Sequence, residues 1–225
     1  MAKHARMIEI PSIRLGVMRV EIKGRSDLIV HAWSEKAKNE MRIKQQKKAK
    51  PAKEAKDPNA DFEASKYKDA AGRDCIKALA IKSAMVSAAG LTDGLKMTFL
   101  RKALFVRYSA EETELIPLSY ETCEMREDMV RVGMGTADLR YRAAYKNWSA
   151  AFEVEWQADV LEPAQVLYLL RLAGFSIGIH EWRPERDGDF GRFDLASAEA
   201  VSIPSDTDKA PTNGKSKPQV AEAAA

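Results

Sequence analysis

Residues 151–161 restrict what this chain can fold into more than any other stretch. Phe152, Val154, Trp156, Ala158 and Val160 alternate with Glu153, Glu155, Gln157 and Asp159, a period of two that fits a strand with one buried and one wet face. Pro163 follows, tolerated in a first helical turn. Val166, Leu167, Leu169, Leu170 and Ala173 then recur at helical spacing up to Gly174, the expected stop. Residues 175–179 read as a short strand, 181–188 as a polar loop and 190–195 as a closing strand.

The first half repeats this order. Residues 15–22 alternate as a strand, and Leu28, Ile29 and Val30 continue it after Gly24. Residues 79–89 place Ile81, Met85, Val86 and Ala89 on one helical face before Gly90. Residues 100–108 and 114–118 read as two strands of a hairpin, whereas 125–132 fits neither period alone. Strand, helix, strand, twice over, predicts an α+β sandwich with helices packed on a mainly antiparallel sheet, and a ferredoxin-like core is its simplest form. At 225 residues and 45% hydrophobic, the chain can bury one sizeable core. We expect one domain over 1–195.

Charge marks the appendages. Between Ser34 and Lys56 nine basic residues face three acids, so this stretch alone exceeds the formal +3 of the whole chain. Ser34 and Glu35 suit a helix start and Pro51 a stop, giving a lysine-rich helix to about residue 50. Residues 52–72 hold few large apolar groups and read as a mobile basic arm or long loop, so the insertion spans about 34–72. From 196 to 225 the chain turns to Ala, Ser, Pro, Thr, Lys and Gly, which predicts a disordered tail.

Several classes are excluded at this level. Cys75 and Cys123 are too few and too far apart for a disulfide framework or a zinc knuckle, which fits a reducing cytoplasm. The amino end carries Glu9 and Pro11 where a secretory signal needs an apolar run. The longest apolar stretch, 166–175, contains Arg171 and is far short of the roughly 20 residues that span a bilayer. No membrane and no cofactor are implied.

The candidate chemistry is cationic and aromatic. Lys44, Lys47, Lys48 and Lys50 lie on the basic helix; Arg140, Arg142, Arg183, Arg186 and Arg192 lie among Tyr141, Trp182, Phe190 and Phe193. Guanidinium and ammonium groups neutralise phosphates, and aromatic rings stack on the bases of a single strand. Gly188 and Gly191 would let a strand's backbone approach. The same residues also fit a solvated strand face, core aromatics and turn glycines, and Trp182 fits either a stacking surface or the edge of the core. Glu153, Glu155 and Asp159 could hold magnesium for phosphodiester cleavage, although strand alternation alone produces such an acidic face. His4, His31 and His180 are scattered, and no serine or cysteine nucleophile stands out.

Three segments carry a resemblance. Residues 24–31 (GRSDLIVH), 125–142 (MREDMVRVGMGTADLRYR) and 178–193 (GIHEWRPERDGDFGRF), with the lysine-rich helix, resemble a family of uncharacterised tailed-phage and prophage proteins. The glycine-rich carboxyl loop ending in Gly191-Arg192-Phe193 on a ferredoxin-like pattern is similar to the RAMP superfamily, the RNA-binding backbone subunits of CRISPR effector complexes. The second resemblance implies a glycine-rich loop that touches RNA and subunits that stack into filaments, and it implies no cleavage. The expectation is therefore a phage-encoded, cytoplasmic, non-catalytic binder of single-stranded DNA or RNA, acting as a homo-oligomer. The alternatives are a virion or assembly protein whose basic arm meets partner subunits, and a magnesium-dependent nuclease.

Overall fold

The computed structural model describes residues 12–33, 35–46, 56–132 and 135–202. In chain order they form β1 (Leu15–Gly24), β2 (Leu28–Val30), α1 (Glu35–Gln45), α2 (Pro58–Ala64), β3 (Tyr67–Lys68), β4 (Asp74–Lys77), α3 (Ala78–Ala89), α4 (Met97–Ala103), β5 (Leu104–Arg107), β6 (Leu115–Pro117), β7 (Thr122–Val132), β8 (Thr136–Lys146), β9 (Ser149–Gln157), α5 (Pro163–Leu172) and β10 (Phe193–Ser202).

The main sheet has the order β10-β1-β9-β5, antiparallel at every pairing. With α3 between β1 and β5, and α5 between β9 and β10, this is the split βαβ arrangement of a ferredoxin-like sandwich. The alternation in 151–161 sets its inner face: Phe152, Val154 and Trp156 are fully buried beside Met18, Val20 and Ile22. Ile81 and Met85 of α3 and Val166, Leu169 and Leu170 of α5 pack into the same core. Gly16 is a packing requirement, because a Cβ there would lie 2.4 Å from the Trp156 ring.

Register places the working parts. Gly24 ends β1 opposite Phe193, the first residue of β10, and Lys23 lies opposite Ser149, the first residue of β9. The excursions 25–77 and 108–148, and the loop into β10, therefore all open from one end of the sheet. β3 and β4 of the first join β6 of the second in a small sheet of order β3-β4-β6, and β2 of the first pairs with β8 in the long hairpin β7–β8 of the second.

Four expectations change. Residues 100–118 do not form a hairpin: Met97–Ala103 is helical, β5 pairs with β9, and β6 pairs with β4. The run of good helix formers outweighs the apolar spacing that suggested a strand. Part of the 52–72 arm is ordered, since Asp57 caps α2 by accepting from the amides of Asn59 (3.0 Å) and Ala60 (3.3 Å), with Pro58 in the first turn. Residues 175–179 are not a strand; Ala173–Ile177 is a π-helical turn continuing α5. Gly174 does not stop the helix but lets it touch β10, where a Cβ would sit 2.1 Å from the Phe193 carbonyl oxygen. Finally, β10 runs through Ser202, past the expected tail start at 196, because residues 196–202 pair along β1. The rest of that tail, and the expected helix beyond Gln46, lie outside the described residues.

Candidate nucleic-acid interface

The excursions enclose an open cleft of about 710 Å³. Its position follows from a few local bonds. The Ala32 amide, just after β2, donates to the Ser65 carbonyl at 2.7 Å, while the Ser65 hydroxyl accepts from the Ala143 amide on β8 at 3.0 Å. The exit of α2 is thereby pinned against β2 and β8, and the next residues, Lys66, Tyr67 and Lys68, form one wall. Lys38 of α1 and Lys77 at the start of α3 complete a set of four lysines, against one carboxylate in the lining, Glu181. Trp33 stands at the rim 59% exposed.

Two lysines are braced. Glu63 accepts from Lys66 at 2.6 Å and from Lys68 at 3.0 Å, and these bonds hold its carboxyl below the usual range while raising the Lys68 ammonium. Lys77 Nζ lies 4.9 Å from the centre of the Tyr67 ring, a cation–π contact.

A smaller cavity of about 280 Å³ adjoins the cleft and shares Tyr67, Lys77 and Glu181 with it. His180, Arg183, Glu185 and the outward side of the first turns of α3 line the remainder. Burial, with help from Arg183 and Lys77, pushes the His180 imidazole down to about 4. Burial followed by Arg142 also lowers His31. Both rings are therefore neutral at pH 7, and His180 Nε2 and His31 Nδ1 are buried without a hydrogen-bond partner among the described residues.

The loop 178–192 presents these groups under backbone strain. His180, Trp182 and Asp187 have φ values of +62°, +50° and +58°, a left-handed region that L-residues other than glycine seldom enter. The Glu181 amide donates to the Ile29 carbonyl at 3.1 Å and the Gly191 amide to the Asp27 carbonyl at 2.8 Å, which holds the loop to β2. Successive side chains then diverge: His180 lines the small cavity, Glu181 faces both cavities, and Trp182 lies 38% exposed near the Arg126 guanidinium, 5.4 Å away.

The expected site residues separate into distinct roles. Trp182 does not close the core. Arg186 is exposed. Arg183 binds Glu185 at 2.7 Å and the His180 carbonyl at 2.9 Å, which braces the loop from within. Arg192 lies over the Phe175 ring at 5.2 Å. Arg140 is half-buried, 3.7 Å from Asp138. Arg142 is only 2% exposed and bonds Asp128 (3.4 Å) and Glu181 (3.6 Å), so it supports the loop from beneath and is not placed to touch a strand in solvent. Gly188 and Gly191 approach the protein's own backbone: a Cβ on them would lie 1.9 Å from the Trp182 carbonyl oxygen and 2.0 Å from that of Ile179. Lys44 lies on α1, and Lys47, Lys48 and Lys50 fall outside the described residues.

Sequence reasoning missed the cleft residues Trp33, Lys38, Lys66, Lys68 and Lys77. The visible signal was Lys66-Tyr67-Lys68, an aromatic ring between two cations. The acidic strand face has a structural explanation, because Arg107 of β5 binds Glu153 at 3.1 Å and Glu155 at 2.9 Å, and Arg14 lies 3.6 Å from Asp159. Among the described residues no group of three His, Cys, Asp or Glu side chains could hold a metal ion. Cys75 and Cys123 are free thiols, both raised by burial, Cys75 to about 11. Among the described residues no helix is long and apolar enough to cross a membrane.

No protein-family model matches the chain, and no match was found among curated proteins. Two solved structures with which the chain shares part of its course are similar to it at low identity. One is a chain of the type III-B Cmr-beta bound to cognate target RNA, with a TM-score of 0.48 and 10% identity over 83% of this chain. The other is Cmr6 from Pyrococcus furiosus, with a TM-score of 0.40 and 11% identity, covering 82% of this chain and all of that one. The chain spans 61% of the length of the first. One architecture hosts many activities, so the chemistry of the cleft and not the fold distinguishes them.

Proposed function

We propose that this protein binds single-stranded nucleic acid, DNA or RNA, without cutting it. The observation that carries the reading is the cleft in which four lysines and the rings of Trp33 and Tyr67 converge against one lining carboxylate. Lysines neutralise phosphates whatever the sequence, and aromatic faces stack on bases that a duplex would hide. Exposed Trp182 and Arg186, at the adjoining loop, extend the surface. Support for a binding role over cleavage comes from Arg107, which occupies Glu153 and Glu155. A phage origin and assembly into an oligomer or filament belong to this reading through the sequence resemblances.

Fluorescence anisotropy with a labelled single strand tests it. Each phosphate contact on a single strand contributes about 0.7 to the slope of log affinity against log salt. Lys68→Ala with Lys77→Ala should therefore reduce that slope by about 1.4, and Trp33→Ala should weaken binding about ten-fold. Equal affinity for duplex, or a slope unmoved by the double substitution, would refute the cleft as the interface.

A further inference from the structure

We infer that the 280 Å³ cavity beside the cleft receives one unstacked base of the bound strand and that it selects guanine. This rests on the nucleic-acid reading and adds base specificity to a contact that lysines alone would leave blind to sequence. Its volume, about 280 Å³, is just below the roughly 300–1,000 Å³ of ligand pockets, a size that suits a single base. The two spaces adjoin, since Tyr67, Lys77 and Glu181 line both. A strand whose phosphate rests on Lys77 can turn its base inward along the Tyr67 ring. The Tyr67 and His180 rings stand 5.9 Å apart and tilted by 39°, forming an aromatic wall, with Leu79, Ala80 and Ile179 supplying apolar surface. A base held in this way is read by hydrogen bonds on its exposed edge.

The polar groups decide which base. Glu185 offers a carboxylate whose oxygens accept from Arg183 and from the Ser87 hydroxyl at 2.8 Å and retain further lone pairs. Lys77 and Arg183 supply cationic donors beside it. Guanine alone sets two adjacent donors, N1–H and the N2 amino group, beside the O6 acceptor, which matches a carboxylate next to a cation. Adenine and cytosine present a single amino group on that edge, and uracil and thymine a single ring N–H between two carbonyls. His180 Nε2, buried and without a partner among the described residues, is a polar atom in the wall that a bound base would satisfy.

The experiment compares binding of the full chain to a roughly 12-nucleotide oligouridine, a length within the range of single-strand sites, and to the same strand carrying one central guanosine, adenosine, cytidine or inosine. The guanosine strand should bind about ten-fold more tightly than oligouridine, the adenosine and cytidine strands should gain little, and inosine, which lacks the N2 amino group, should fall between. Glu185→Gln should bring the guanosine strand down to the oligouridine level. Ser83→Phe, at an exposed position on the cavity lining, fills the space while leaving Arg183 and Glu185 themselves in place, and should do the same. Equal binding of all strands to the parent protein, or a guanosine preference that survives both variants, overturns the inference and leaves the cleft reading standing. Failure of every strand to bind overturns both.

Discussion

Arg142 should be the costliest side chain outside the core to leave without its partner. It is 2% exposed, Asp128 beside it is 5% exposed, and the second acid, Glu181, is the more open one at 38% of its side chain. Asp128→Ala removes the buried carboxylate that accepts from Arg142 at 3.4 Å and from Arg126 at 2.8 Å. Breaking a buried pair from one side costs about 3–5 kcal/mol, because the remaining charge stays out of water. Glu181, 3.6 Å away, retains part of the compensation, so the lower end, about 3 kcal/mol, is expected. For a chain of this size each kcal/mol lowers Tm by about 2–4 °C, giving a fall of about 6–12 °C. Asp128→Leu combined with Arg142→Met replaces both charges with apolar groups and should remain near the parent or exceed it. Urea denaturation followed by tryptophan fluorescence measures both proteins. If Asp128→Ala costs less than about 1 kcal/mol, the range of a solvent-exposed pair, Arg142 is hydrated and the loop does not rest on a buried ion pair. If the apolar double variant falls as far as the single one, lost packing and not charge is responsible.

Two further outcomes follow from the loop. His180 titrates near 4 in the fold and near the ordinary 6.5 when unfolded, so between those values the unfolded chain binds more protons; stability should fall as pH drops from about 6.5 towards 4 and level off below, with His31 contributing in the same direction. His180→Asn, a residue that accepts the positive φ, should make the urea midpoint less sensitive between pH 7 and pH 5, and an unchanged pH dependence would count against a desolvated imidazole. Trp182→Ala should lower stability by less than the roughly 3–5 kcal/mol of a buried aromatic, since the ring is 38% exposed, while weakening single-strand binding about ten-fold. Calorimetry and anisotropy on one sample separate the two effects, and a full core-sized loss of stability would contradict the surface placement.

The parts of the fold that could be read from the sequence are those in which one residue period does one job. Phe152, Val154 and Trp156 face only the core, and Ile81 and Met85 face only the sheet, so their spacing carried through. Gly174 misled because a glycine serves two purposes: it ends helices, and it lets them approach a strand, as it does against Phe193. Asp57-Pro58 reads equally as a turn and as a helix cap, and only the docking of α2 on β8, through Ser65 and Ala143, decides between them. Arg140 and Arg142 are two residues apart on one strand, yet one is half-buried and the other sealed beneath Glu181. The cleft was least legible because Trp33, Lys38, Lys66 and Lys77 come from separate elements, and only the pairing of β2 with β8 and of β3 with β4 brings their neighbourhoods together.

The direction of β1 has a practical consequence. Leu15 begins it opposite Gln157, and Val17 lies opposite Ser202, the last described residue of β10, whereas the excursions that build the cleft open beyond Gly24. The ten residues of β1, at about 3.3 Å each, put about 30 Å between those two ends of the sheet. The described chain enters this sheet at Leu15 and leaves it at Ser202, both at the far end, so a support held at that end leaves the lysine-lined face turned away from it and open to a passing strand.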